Sequence, residues 1–104
     1  MPTEFTKLNH SIITPIFKSK GYRKIGPYCY GGTFDEAVYK KNDITVKIYY
    51  STHPYDYPET GVRIIIFSSE KEIHNKLYPF TEYDLPKIMD LMANDLINGT
   101  KFGI

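Results

Sequence analysis

Cysteine is almost absent: Cys29 is the only one in 104 residues. A secreted domain this small would ordinarily be stapled by paired cysteines. The first ten residues, MPTEFTKLNH, have neither the basic start nor the apolar stretch of an export signal. Both features lead us to expect a cytoplasmic protein. Long hydrophobic runs are missing too, since the longest, Val62 to Phe67, is interrupted by Arg63. It falls far short of the ~20 apolar residues that span a bilayer, so no membrane contact is expected. Nor is there an excess of one charge. The net charge is +1, with eight Lys/Arg against four Asp/Glu in residues 1–47 and five against eight in residues 48–104. A protein that holds duplex nucleic acid by neutralising phosphates is usually far more basic. Linkers, repeats and low-complexity stretches are also lacking, and residues 1–104 are read as a single domain.

What is present is an ordinary globular composition, 41% hydrophobic and 24% charged, with ten tyrosines and six phenylalanines. The N-terminal segment TEFTKLNHSIITPIFKSKG puts Phe5, Leu8, Ile12 and Ile16 at helical spacing, with Ile13 and Phe17 beside them. Pro15 predicts a kink or break in that helix, and Gly21 a left-handed cap at its end. The segment YCYGGTFDEAVYKK reads as a strand interrupted at Gly31-Gly32. After the turn residues Lys41-Asn42-Asp43, ITVKIYYS alternates cleanly, with Ile44, Val46, Ile48 and Tyr50 on one face. GVRIIIFSS follows as a strand apolar on both faces, which predicts a central position. Over residues 69–79, Ser69 with Glu72 matches a capping box and Ile73 with Leu77 are four apart, which favours a short helix, with a fourth strand as the alternative. The C-terminal DLPKIMDLMANDLINGT carries Leu85, Ile88, Met92 and Leu96 on one stripe with Met89 alongside, capped by Asp84 or Thr81. The expected fold is α+β: a two-layer sandwich of a three- to four-stranded antiparallel meander with an N-terminal and a C-terminal helix on one face.

One stretch stands out chemically. HPYDYPET, residues 53–60, gathers His53, Tyr55, Asp56, Tyr57 and Glu59 around the two prolines Pro54 and Pro58, shortly after Tyr49 and Tyr50. Prolines fix their own φ and push the preceding residue towards extended conformations, so the loop is stiff. Tyrosine offers a large amphipathic contact with few torsions to freeze, which is why it is enriched at binding surfaces. Tyr49, His53, Tyr55, Asp56, Tyr57 and Glu59 are therefore the expected contacts for a protein partner. A self-complementary version of the same surface would make a homodimer. His53, Asp56 and Glu59 are spaced as imaginable metal ligands, but nothing completes a set, and no metal or cofactor is expected.

The alternative site is RKIGPYCYGGTF, where Arg23 and Lys24 precede Tyr28 and Tyr30 on one strand face. Basic residues beside stackable rings suit a nucleotide or single-stranded nucleic acid. The glycines match neither a P-loop nor a dinucleotide fingerprint. Asp35 and Glu36 are adjacent on a strand and point to opposite faces, which disqualifies them as an acid/base pair. No catalytic constellation emerges, and the chain reads as non-enzymatic. In size and element order it resembles small cytoplasmic α+β proteins of bacteria and phages, some of them inhibitors or immunity proteins that bind one partner. That resemblance implies the same role here.

Overall fold

A computed structural model describes residues 4–25, 28–29, 34–51 and 60–98, with the side chains of 28–29 and 34–35 excepted. The N-terminal helix is built in three pieces that run on without a gap: α1 Glu4–Leu8, a π-helical segment Asn9–Ile13, and α2 Thr14–Ser19. The expected disturbance at Pro15 is thus a widened turn. Thr14 N–H bonds the Asn9 carbonyl five residues back, and Pro15, which has no N–H to give, sits in the first turn of α2. The widening also moves the buried stripe. Phe5, Asn9, Ile13 and Phe17 are the buried line, while Leu8, Ile12 and Ile16 flank it half-exposed.

Gly21, at φ +89°, ends α2 as expected. Gly21 N–H reaches the Lys18 carbonyl at 3.1 Å and Tyr22 N–H the Phe17 carbonyl at 2.9 Å, the paired bonds of a Schellman cap. The chain then turns back into a short strand, β1 Arg23–Lys24, and a second, β2 Tyr28–Cys29. Both pair antiparallel with β3 Phe34–Lys41, β1 at Tyr39 and Lys40 and β2 at Asp35 and Glu36. The segment read as one strand interrupted by glycines is therefore a reversal.

A meander follows: β4 Ile44–Ser51, β5 Gly61–Ser68 and β6 Lys71–Pro79, in the order β1-β3-β4-β5-β6 with β2 beside β3. The sheet is thus five strands wide, against the three to four expected, and β5 is an interior strand paired on both sides, next to the edge strand β6. The favoured helix over 69–79 is overturned, since Lys71–Pro79 is a strand. Ser69 and Glu70 take φ of +50° and +67°, the backbone of a tight two-residue hairpin turn, closed by the Ser68–Lys71 pair. Instead of capping a helix, Ser69 donates its hydroxyl to Asp43 Oδ2 at 2.7 Å and its N–H to the Asp43 carbonyl at 3.0 Å. These bonds tie the 68–71 turn to the neighbouring 41–44 turn.

The final helix, α3 Leu85–Asn98, is capped by Asp84, whose Oδ1 accepts the Lys87 N–H at 3.0 Å. It buries Leu85, Ile88, Met89, Met92 and Leu96, the stripe expected from spacing. Those side chains, with Phe5, Ile13 and Phe17 from the N-terminal helix, share one core with Tyr39, Val46, Ile48, Val62, Ile64, Ile66 and Tyr78 from a single face of the sheet. Both helices therefore lie on that face. The architecture is α+β with a helical layer over one side of an antiparallel sheet.

Candidate functional site

Because strand residues alternate in direction, the face turned away from the helices is made by Glu36, Val38 and Lys40 of β3, Thr45, Lys47 and Tyr49 of β4, Arg63, Ile65 and Phe67 of β5, and Asn75 and Leu77 of β6. Among the described residues no helix covers it. Thr45, Lys47, Tyr49, Arg63, Ile65, Phe67 and Leu77 are all half-buried, neither sealed in a core nor fully solvated. Lys47 Nζ lies 5.7 Å from the Phe67 ring centroid, a cation held over an aromatic face. Arg63 donates to Asn75 Oδ1, and Asn75 in turn donates to Glu72 Oε1 at 3.3 Å. Towards the turn end, Lys40, Thr45, Lys47, Phe67, Ser69 and Glu70 border a depression of about 420 Å³. Asp43 closes its rim, and the Ser69 hydroxyl it accepts draws its carboxyl pKa downward.

Of the residues expected to meet a protein partner, Tyr49 stands on this face, opposite Glu36 and Arg63. His53, Tyr55, Asp56, Tyr57 and Glu59 lie outside the described residues. The neighbouring Tyr50 points the other way. It stacks on Phe5 at 5.4 Å between centroids and meets Phe80 edge-on at 5.7 Å, at the edge of the core. Between β3 and β4, Lys47 faces Val38, while Glu36 faces Tyr49.

A second region gathers at the β1 edge. His10, Thr14, Lys18, Tyr22, Arg23, Lys24 and Ile25 line a groove of about 690 Å³ between the N-terminal helix and β1. Arg23 and Lys24 of the expected nucleic-acid set are here. Tyr28 lies farther along the same edge of β3, its side chain outside the described residues, as is the whole of Tyr30. The sequence reading missed His10 and Lys18. For Lys18 the signal was legible in KSKGYRK, because a left-handed cap at Gly21 folds the residues on either side of it back towards each other. Burial, and after it the nearby charge of Lys18, lowers the Lys24 pKa.

A third cluster joins β6 to α3. Tyr78 donates its hydroxyl to Asp95 Oδ2 at 2.5 Å, and Lys76 Nζ reaches the same oxygen at 3.1 Å. Burial, reinforced by the hydrogen bond to Asp95 and its negative charge, pushes the Tyr78 pKa far above the usual phenol value. The phenol therefore stays protonated, which suits a tie between layers and not a nucleophile. Burial also raises Tyr39 and Tyr22. A group whose pKa folding raises contributes stability that is complete below its unfolded value, near 10 for tyrosine, and is lost as pH climbs beyond it, because only the unfolded chain can then ionise. The urea midpoint is expected to fall as pH rises above about 10, less steeply in Tyr78→Phe than in wild type. Equal slopes would show that Tyr78 ionises normally in the fold.

Among the described residues no three His, Cys, Asp or Glu side chains gather as a metal site would need, and no helix is long and apolar enough to cross a membrane. Compared with known proteins, the chain matches no family model, no curated protein and no solved structure.

Proposed function

We propose that the protein is a non-enzymatic binding protein, inhibitor- or immunity-like in role, that holds an acidic protein partner against the face of its sheet turned away from the helices. The observation that carries this reading is the make-up of that face. Lys47 and Arg63 alternate with Tyr49, Ile65 and Phe67 on adjacent strands, half-exposed and with no described element packed over them. Aromatic and arginine side chains are the groups most often found to dominate interface energies. Being mounted on paired strands, they lose little freedom on docking. Lys40, Lys47 and Arg63 outnumber Glu36 among the strand residues of that face, and complementarity to this balance selects a partner that is acidic around an apolar centre.

The test compares wild type with Lys47→Glu/Phe67→Ala as baits for a lysate of the source organism, followed by purification of any retained protein. Capture alone does not decide. The purified partner is expected to bind wild type with an affinity that weakens in salt and falls at least tenfold, about 1.4 kcal/mol, in the double variant. Loss of binding in Tyr55→Ala/Tyr57→Ala with full retention in Lys47→Glu/Phe67→Ala would move recognition from the sheet face to the tyrosine-rich loop.

A further inference from the structure

We propose that the groove at the β1 edge is a binding site for the phosphate group of a nucleotide-sized phosphate ester. It is separate from the face assigned above to a protein partner and does not depend on that assignment. His10, Lys18 and Lys24 line it on the helix side, and Arg23, whose side chain alternates to the other face of β1, borders it. None of the four makes a hydrogen bond or ion pair with a carboxylate among the described residues, whereas the comparable Lys76 is paired with Asp95. Among the described residues no acidic side chain lines the groove.

Two lysines on flexible stems ordinarily splay apart in water to relieve their repulsion. Here the backbone holds them near one another. The Schellman cap reverses the chain at Gly21, three residues after Lys18, and β1 is then pinned by pairing Arg23 with Lys40 and Lys24 with Tyr39. The bond from Ile25 N–H to the Val38 carbonyl, 2.8 Å, fastens its far end. Lys24 is half-buried and its charged form is disfavoured by that burial and by Lys18. An oxyanion placed between the two ammonium groups removes the repulsion and compensates for the lost hydration, so both unfavourable terms become binding energy.

Phosphate is the anion that best matches several converging point charges, because each of its oxygens accepts a charge-assisted bond. Size narrows the class. At about 690 Å³ the groove lies in the range that accommodates a small organic ligand, larger than a bare ion needs. Its wall supplies a place for the remainder of such a ligand: Ile25 is 44% exposed at one end, an apolar surface on which a base can rest. Thr14, also in the lining, adds a hydroxyl.

Free nucleotides and single-stranded nucleic acid present the same phosphate chemistry, and the experiment separates them. Titration calorimetry at low salt uses adenosine triphosphate and inorganic phosphate as probes, and fluorescence anisotropy uses a labelled oligothymidylate. The variants are Lys18→Glu/Lys24→Glu and, as a charge reversal away from the groove, Lys87→Glu, with circular dichroism melts to establish that each folds. The expected result is binding of adenosine triphosphate that is stronger than that of inorganic phosphate, is reduced at least tenfold in the groove variant and is retained by Lys87→Glu. Oligothymidylate binding tighter than adenosine triphosphate, with the same dependence on Lys18 and Lys24, supports the site with nucleic acid as its source. Absence of binding by all three probes overturns the proposal. So does binding that Lys87→Glu weakens as much as the groove variant does.

Discussion

Gly61→Ala is expected to destabilise the protein by about 3 kcal/mol or more, the largest effect of any single-methyl addition in the described chain. Gly61 opens β5 at φ +149°, paired between Ser51 of β4 and Pro79 of β6. A Cβ there would lie 2.3 Å from the Tyr78 carbonyl oxygen and 3.0 Å from Pro79 Cα. Both are backbone atoms held in the β5–β6 ladder, so neither can rotate away as a side-chain tip would. The backbone region itself belongs almost wholly to glycine and costs another side chain roughly 1–3 kcal/mol before any clash.

For a domain of this size each kcal/mol moves the melting temperature by roughly 4–8 °C, so the midpoint should fall by at least about 12 °C. Gly21→Ala is the control. Gly21 also has positive φ, +89°, but its Cβ would meet only the flexible Lys41 side chain, nearest at 3.5 Å. Its loss should stay near the bare left-handed penalty, about 1–2 kcal/mol. If thermal and urea melts gave the two variants equal losses, the close approach of β6 to Gly61 would be wrong.

The second large effect concerns a polar group inside the core. Tyr39 is fully buried on β3, its ring stacked on Phe17 at 4.3 Å between centroids. Its hydroxyl accepts from Asn9 Nδ2 at 2.6 Å and shares a hydrogen with Thr14 Oγ1 at 2.8 Å. Asn9 and Thr14 are five residues apart, which on a regular α-helix would place them about 140° from each other. The π-helical turn between them brings both onto the face that meets Tyr39.

Among the described residues Asn9 Oδ1 already lacks a partner, so Tyr39→Phe would leave the buried amide with none of its described bonds. Stranding that group is expected to cost about 2 kcal/mol. Replacing Asn9 by Leu in the same chain should recover part of the loss, because the stranded amide is then gone. A Tyr39→Phe variant within about 0.5 kcal/mol of wild type would show that the hydroxyl bonds contribute nothing net. A double-mutant cycle with no coupling would show that they are not shared with Asn9.

These two sites mark where the sequence could and could not be read. The alternation of Ile44, Val46 and Ile48, the stripe of Leu85, Ile88, Met92 and Leu96, the Asp84 cap and the Gly21 turn were all legible, because each depends on residues within one or two turns of chain. Asn9 was not, since a polar residue on a helix declares itself buried only through a hydroxyl on a strand thirty residues away. Residues 71–79 were misread for a different reason. A spacing of four, as between Ile73 and Leu77, is one helical turn and also two strand periods, and the choice between them was made by pairing with β5. The glycines at 31 and 32 were ambiguous in the same way, compatible with an interruption or with the reversal implied by β2 lying antiparallel to β3.

The candidate sites divide likewise. Tyr49 and the Arg23-Lys24 pair were identifiable from their neighbours in the chain, whereas the company they keep was not. Phe67 and Lys47 meet across two strands, and His10 and Lys18 join Arg23 and Lys24 only because the chain doubles back at Gly21. By itself the sequence determined the secondary structure wherever side-chain periodicity had one reading, the α+β class, and which faces of β4 and α3 turn inward, since these follow from short-range sterics and from the partition of apolar groups away from water. The width of the sheet, the strand over 71–79, the buried Asn9 and the convergence of basic groups were decided by tertiary structure alone, because each depends on backbone pairing or side-chain contact between residues far apart in the chain.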